Sequence, residues 1–349
     1  CGQAAVFHGA GQPLEIQRFR LPELSDGEAL VRIECCTLCR SDLHTIGGKR
    51  EASTPLILGH EILGRLVAAP APLFDLNGQP VQAGDRISWS IIVACEQCYF
   101  CQHGLPQKCK RLYKYGHQDF DAERPFSGGL ATHCQLVRNT SLVRVPDTLP
   151  DHVACPVNCA TATTAAAWRM AGSLRDTSIV IIGAGMLGLT AAAMAGHLGA
   201  SQIHVTDIDP RRADFARKFG GNETDLNRVL DRTDGRGADL VLDTSGSPDA
   251  IDQAIKYQRI GGQLNILGAV HPGRPLSIRA DDIVRRMLRI VGVHNYAPVD
   301  LQCALEFLVA THHQFPFDQR VQREYCLQDV NDAVADAMSG NGFRIAIRP

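Results

Sequence analysis

Four cysteines, Cys95, Cys98, Cys101 and Cys109, fall within fifteen residues in the spacing C-x2-C-x2-C-x7-C. Thiolates this close on one folded loop can converge on a tetrahedral zinc ion without help from the rest of the chain. All four positions are then thiolate, so no place remains for water, and the chemistry implied is structural rather than catalytic. An iron–sulfur cluster, also held by four cysteines, is the competing reading. Three other residues of metal-binding type are scattered: Cys39 in Cys-Arg-Ser-Asp-Leu-His, His60 in Gly-His-Glu and Cys159 in Val-Asn-Cys-Ala-Thr-Ala-Thr. Taken singly, each has an ordinary explanation as a buried thiol or a structural imidazole, and spacing alone does not join them.

A second kind of chemistry is written in Ser-Ile-Val-Ile-Ile-Gly-Ala-Gly-Met-Leu-Gly, residues 178–188. An apolar strand runs into Gly183, which permits a tight turn; Gly185 lets backbone approach a pyrophosphate, and Gly188 lets the next helix pack closely. The helix start offers its unpaired N–H groups to phosphate. The following strand ends at Asp207, whose carboxylate can accept from both hydroxyls of an adenine ribose and would repel the extra phosphate of NADP. NAD is therefore the expected cofactor, although Arg211 and Arg212 could flank a phosphate.

The elements that position these residues change in texture along the chain. Residues 4–7, 14–18 and 28–36 read as short strands broken by Gly and Pro, which predicts an irregular β domain. From about residue 178, strands at 179–182, 203–206, 240–243 and 264–267 alternate with Ala-rich or charged helical stretches, the pattern of parallel βαβ units. A strand at 290–294 closes that sheet; helices at 301–312 and 329–338 and a strand at 343–347 follow. The almost wholly apolar run 179–196 has the length of a membrane span, but its three glycines fit the dinucleotide turn better.

With 349 residues and 45% hydrophobic content, the chain can build two cored domains. Its 35 basic and 37 acidic residues give a formal charge of -2, so no basic field exists to hold nucleic acid or an anionic membrane. Thirteen cysteines point to metal ligands or buried thiols in a reducing compartment rather than to disulfides. No basic-then-apolar leader follows Cys1, and a cytoplasmic location is expected.

The Cys39–His44 and Gly59-His60-Glu61 segments, the four-cysteine lobe, the glycine turn and Asp207 occur together in the order and spacing of the zinc-dependent medium-chain alcohol dehydrogenases, which the chain resembles over nearly its whole length. That resemblance implies an α/β protein: a GroES-like β-rich catalytic domain (1–160 and 294–349) and a Rossmann doubly wound parallel-sheet domain (161–293). It implies two zinc ions per chain. One is catalytic, on Cys39, His60 and Cys159, with Glu61 behind it as an occasional ligand and Asp42 orienting His60; the other is structural, on the lobe cysteines. Cys155 is the alternative third ligand. Ser41 and His44 match the family's proton relay, and Arg40 and Arg344 match positions that contact the pyrophosphate; Arg212, read from its place after Asp207, is a further candidate for the cofactor site.

The implied reaction is reversible hydride transfer from an alcohol to NAD, giving an aldehyde or ketone, in a homodimer or homotetramer. Residues 106–109, 114–117 and 158–163 also look similar to a bacterial subgroup proposed to act in phosphonate catabolism. Lys49, Arg50, Arg111, Lys114 and Arg124 are suggestive of an anionic substrate, and Trp89, Ile91 and residues 114–117 are expected near the pocket. An NADP-linked polyol, sugar or hydroxyalkylphosphonate dehydrogenase is the alternative enzyme, and a non-enzymatic NAD-binding sensor the alternative of another kind.

Overall fold

The structure, a computed structural model, describes residues 1–222, 225–340 and 342–349. It divides into two compact units, one of Cys1–Cys159 with Ala297–His312 and Phe317–Pro349, the other of Ala160–Tyr296 with His313–Pro316.

The first unit is organised around the strand Ala29–Thr37. Val31 and Ile33 point into the core while Arg32 between them is exposed, and Cys35 to Thr37 are buried on both faces. This strand is sandwiched in a seven-stranded mixed sheet between Glu61–Ala68 and Arg344–Arg348. The register of these pairings sets Thr37 opposite Glu61 on one side and opposite Ile345's neighbour Ala346 on the other. A small antiparallel sheet, Glu15–Phe19, Gly2–Phe7 and Leu56–Ile57, covers part of the core. Val31, Ile33, Ile57, Ile62, Ile87, Trp89 and Phe126 fill the space between, each contributing about 1.5–3 kcal/mol by leaving water. Trp89 and Ile91 are both buried, and Trp89 belongs to this core, where it meets Tyr115 edge-on at 6.1 Å.

The second unit is a five-stranded parallel sheet in the order Gln202–Thr206, Ser178–Ile182, Ala238–Asp243, Gln258–Ile266, Arg289–Gly292. The chain moves outward one way from Ser178–Ile182 and then the other way from Ala238–Asp243. The crevice beyond the carboxyl ends of those two strands is where ligands bind in such sheets. The apolar run that could have been a membrane span is the strand Ser178–Ile182, the turn, and the helix Met186–His197. Its alanine-rich surface packs on the helix Ala160–Ala171, small residues allowing close approach. Among the described residues no helix is long and apolar enough to cross a membrane.

Candidate active site

The helix Arg40–Ile46 starts directly after Cys39 because Asp42, in its first turn, reaches back: Asp42 Oδ2 accepts from the Cys39 backbone N–H at 2.9 Å. The other oxygen of the same buried carboxylate accepts from His60 Nδ1 at 3.1 Å and from the Gly59 N–H at 3.4 Å. A carboxylate only accepts, so Nδ1 carries a proton and Nε2 is the nitrogen left for a metal, which would have to displace any proton there. One side chain thus fixes the sulfur-bearing turn and the tautomer of the histidine facing it.

Nε2 of His60 and the sulfurs of Cys39 and Cys159 lie within 4.8 Å of one another, with the two sulfurs 4.0 Å apart. Zinc–sulfur bonds of about 2.3 Å at tetrahedral angles put sulfurs just under 4 Å apart, so this donor set fits zinc. Between Cys159 and Cys155, the geometry selects Cys159: the Cys155 thiol faces the carbonyls of Cys35 and Glu61, each at 3.3 Å. In the protein alone, hydrogen bonding from Cys159 holds the Cys39 thiol well below its usual range, helped by Arg344 and His60. Cys159, next to that thiolate and buried, is pushed up correspondingly. Burial works against charge on His60, yet Asp42 and Cys39 raise it to about 10.

Glu61 is fully buried, and burial raises its pKa against the pull of Arg344. Thr37 Oγ1 donates to Glu61 Oε2 at 2.6 Å, as their paired register dictates. Arg344 forks onto the same carboxylate, Nε to Oε2 at 2.9 Å and Nη2 to Oε1 at 3.0 Å, with Nη2 also 3.5 Å from the Cys39 sulfur. Its strand joins the sheet beside Thr37, which turns the guanidinium onto Glu61 and the Cys39 sulfur. Arg40 is exposed at the helix start, Ser41 Oγ is 3.4 Å from His60 Nε2, and His44 lies one turn further along the same helix.

Two residues of segments noted in the sequence had no role assigned to them individually. Asn158 donates to the carbonyls of His60 and Trp89 and accepts from the Ile62 N–H, tying the Cys159 turn to the start of the strand Glu61–Ala68. His117 stacks obliquely over His60 with ring centres 5.1 Å apart, and burial, then His60, Lys114 and Arg50, hold it well below the usual histidine range. Lys114 is lowered to about 8, by burial and by Arg50. A polar residue directly before Cys159 was the available signal for Asn158.

In the lobe, the sulfurs of Cys95, Cys98, Cys101 and Cys109 also lie within 4.8 Å of one another. Cys98 is 3.5 Å from Cys101 and 3.9 Å from Cys109, and the N–H groups of Cys95 and Arg111 point at the Cys109 sulfur. The Gln97 backbone leads in lowering Cys95 to about 6.

In the second unit, Gly183 has φ +100, and a Cβ on Gly188 would sit 1.7 Å from the Gly183 carbonyl oxygen, so only glycine fits there. A Cβ on Gly185 would meet nothing within 4 Å, the open approach a pyrophosphate needs. Asp207 accepts from the Ala184 N–H at 2.7 Å and the Asp209 N–H at 2.9 Å, which holds its carboxylate beside that turn. Arg211 is engaged with Asp209; Arg212 follows on the helix Pro210–Phe215.

The alcohol dehydrogenase GroES-like domain family matches residues 25–147 and the zinc-binding dehydrogenase family residues 187–310. The chain belongs to the zinc-dependent medium-chain alcohol dehydrogenase family. It is 30% identical to a probable alcohol dehydrogenase of Mycobacterium tuberculosis over 95% of this chain and 93% of the relative. It is 28% identical to sorbitol dehydrogenase of Bacillus subtilis over 96% of this chain and 93% of that protein. The crystal structure of an alcohol dehydrogenase from Thermotoga maritima superposes with a TM-score of 0.95 at 25% identity, covering 100% of this chain and 99% of that one.

Proposed function

We propose that this enzyme oxidises an alcohol to an aldehyde or ketone, reversibly, using NAD and a catalytic zinc ion on Cys39, His60 and Cys159. The convergence of those three donors carries the reading, because three protein ligands, unlike the four of the lobe, is the donor count of a catalytic zinc site. Bound there, zinc would supply Lewis acidity toward a hydroxyl, and NAD in its own site would supply the hydride acceptor. Asp42 keeps His60 in the ligating tautomer. Glu61 and Arg344 form a neutral pair behind Cys39, with Glu61 able to approach the ion when Arg344 releases it. Ser41, whose Oγ lies 3.4 Å from His60 Nε2, would take the proton of the reacting hydroxyl and pass it on toward His44.

In the second unit, the N–H groups after Gly185 would hold the pyrophosphate and Asp207 the adenine ribose, with Arg212 on the helix that follows. Ile208, fully exposed beside Asp207, offers an apolar platform to the base. The lobe cysteines hold a structural zinc. The sheet edge Arg289–Gly292, with Val284 and Met287 exposed beside it, supports a homodimer or homotetramer.

The test combines zinc analysis with kcat/KM for neutral alcohols and polyols, each with NAD and NADP. Two zinc ions per chain and a higher kcat/KM with NAD are expected, and Asp207→Ser should move the preference toward NADP by at least tenfold. Fewer than two zinc ions in fully active protein, or an NADP preference in the unaltered enzyme, overturns this assignment.

A further inference from the structure

Of the five cations that suggested an anionic substrate, three are accounted for elsewhere. Arg124 pairs with Glu28 at 3.1 Å, Arg111 lies against the lobe thiols, and Lys49 is exposed. Lys114 and Arg50 are different. Both are only partly exposed, and neither engages an ion pair among the described residues.

Backbone contacts tie both to the segments that carry the metal donors. Lys114 lies opposite Ile92 in a two-stranded ladder that continues through the Tyr115 N–H to the Ile91 carbonyl at 2.9 Å. The turn after it is pressed onto the ligand histidine: Gly116 has φ +73, and a Cβ there would fall 2.5 Å from the Gly59 oxygen and 3.1 Å from His60 Cβ. His117, at the end of the turn, covers the His60 ring. Arg50 comes from the other side, its N–H bound to the carbonyl of His44 at 3.2 Å, at the end of the helix that begins after Cys39. Lys114 feels the charges of Cys159, Cys39 and Asp42 as well as that of Arg50.

The thiolates do not explain these cations. A zinc dication with two thiolates and a neutral imidazole is already neutral, and Arg344 is already 3.5 Å from the Cys39 sulfur. Two like charges held together out of full contact with water cost free energy unless an anion joins them.

We propose that Lys114 and Arg50 form an oxyanion-binding subsite of the alcohol pocket, so that the preferred substrate is an alcohol bearing a carboxylate or a phosphate a few bonds from its carbinol carbon. This rests on the alcohol dehydrogenase reading of the zinc pocket. Lys114 supplies the half-buried point charge, Arg50 the planar fork, and His117, kept neutral by its surroundings, one imidazole N–H.

The experiment uses zinc-loaded parent protein, Lys114→Gln, Lys114→Arg and Arg50→Gln, each checked for zinc content and melting temperature. kcat/KM with n-propanol, β-hydroxypropionate and hydroxyethyl phosphate is expected to favour one of the anionic alcohols at least tenfold in the parent. Whichever anionic alcohol leads identifies the source of the oxyanion. Lys114→Gln should lower the charged-to-neutral ratio about 10- to 100-fold, mostly through KM, and Lys114→Arg should restore part of it. Calorimetric titration with propionate and with inorganic phosphate, without NAD, reads the subsite independently of turnover. Binding in the parent that is lost in both glutamine variants is expected. A parent that favours n-propanol, an unchanged ratio in zinc-replete Lys114→Gln, or no anion binding by the parent overturns the subsite. Anion binding without oxidation of any alcohol would instead overturn the dehydrogenase reading and leave the subsite standing.

Discussion

The lobe and the pocket are both built to gather sulfur around one point, yet they are held in opposite ways. The lobe draws its four thiols from one short, largely solvated loop and steadies them with that loop's own backbone N–H groups. The pocket draws three candidate donors from positions 39, 60 and 159, buries two of them, and steadies them with side chains: Asp42 on the histidine, Arg344 and Glu61 behind the cysteine, Asn158 across the turn. A site meant only to hold can be local and saturated. One that must act needs an unfilled position, and its rigidity has to come from the surrounding fold.

That contrast can be broken by removing one sulfur from each. Cys39→Ala is expected to lower kcat/KM by at least about a thousandfold and remove one zinc of two, with little change in circular dichroism. Cys98→Ser should instead lower the melting temperature markedly, since metal-binding energy there is folding energy, while folded enzyme keeps kcat within a few-fold. Loss of both ions in Cys39→Ala, measured by elemental analysis, would show that the two regions are not separate. The pocket's dependence on side-chain support is sharpened by Asp42→Asn, which leaves every ligand in place. A loss of about 10- to 100-fold in zinc affinity or activity is expected, read by competition with a chelator.

The smallest effect belongs to a strut that touches neither metal region. Asp151 joins Arg86 and Arg348, the latter at 2.6 Å, and although burial opposes it, these two cations hold its carboxyl below the usual value. A carboxyl lowered in the folded state stabilises the fold above its ordinary pKa, and that contribution is lost as pH falls through the lowered one. Asp151→Asn should therefore cost about 1 kcal/mol at neutral pH, modest because the group keeps contact with water. The gap to the parent should close in acid denaturation below about pH 4.

Legibility in the sequence followed the same division. The lobe and the glycine turn could be read from spacing because their chemistry is completed within fifteen residues or by one strand and one helix. Most strands of the parallel sheet were likewise visible as short apolar runs. The pocket was not legible in this way: nothing local joins Cys39 to His60 and Cys159, and only resemblance to a family united them. The partnership of Arg344 with Glu61 was invisible for the same reason: the pairing of Ala346 with Thr37, a contact between distant segments, turns the guanidinium onto that carboxylate. The place of Trp89 in the core was equally hidden, since its partner Tyr115 arrives from the far side of the lobe. Lys114 and Arg50 were visible as charges, while the absence of an ion pair to either among the described residues emerged only from the folded neighbourhood.

The bond between Arg344 and Glu61 spans 283 positions of sequence, and this sets a timetable for synthesis. When Glu61 leaves the ribosome, the cation that will neutralise it in the interior does not yet exist. The parallel sheet between them can form first, because its strands lie together in one stretch of chain. Until Arg344 is made, a buried Glu61 would have to carry a proton or keep its end of the sheet open to water. The pocket is therefore expected to become competent late, after most of the chain has been made, and a nascent chain lacking the strand Arg344–Arg348 should bind dinucleotide before it can hold the catalytic ion.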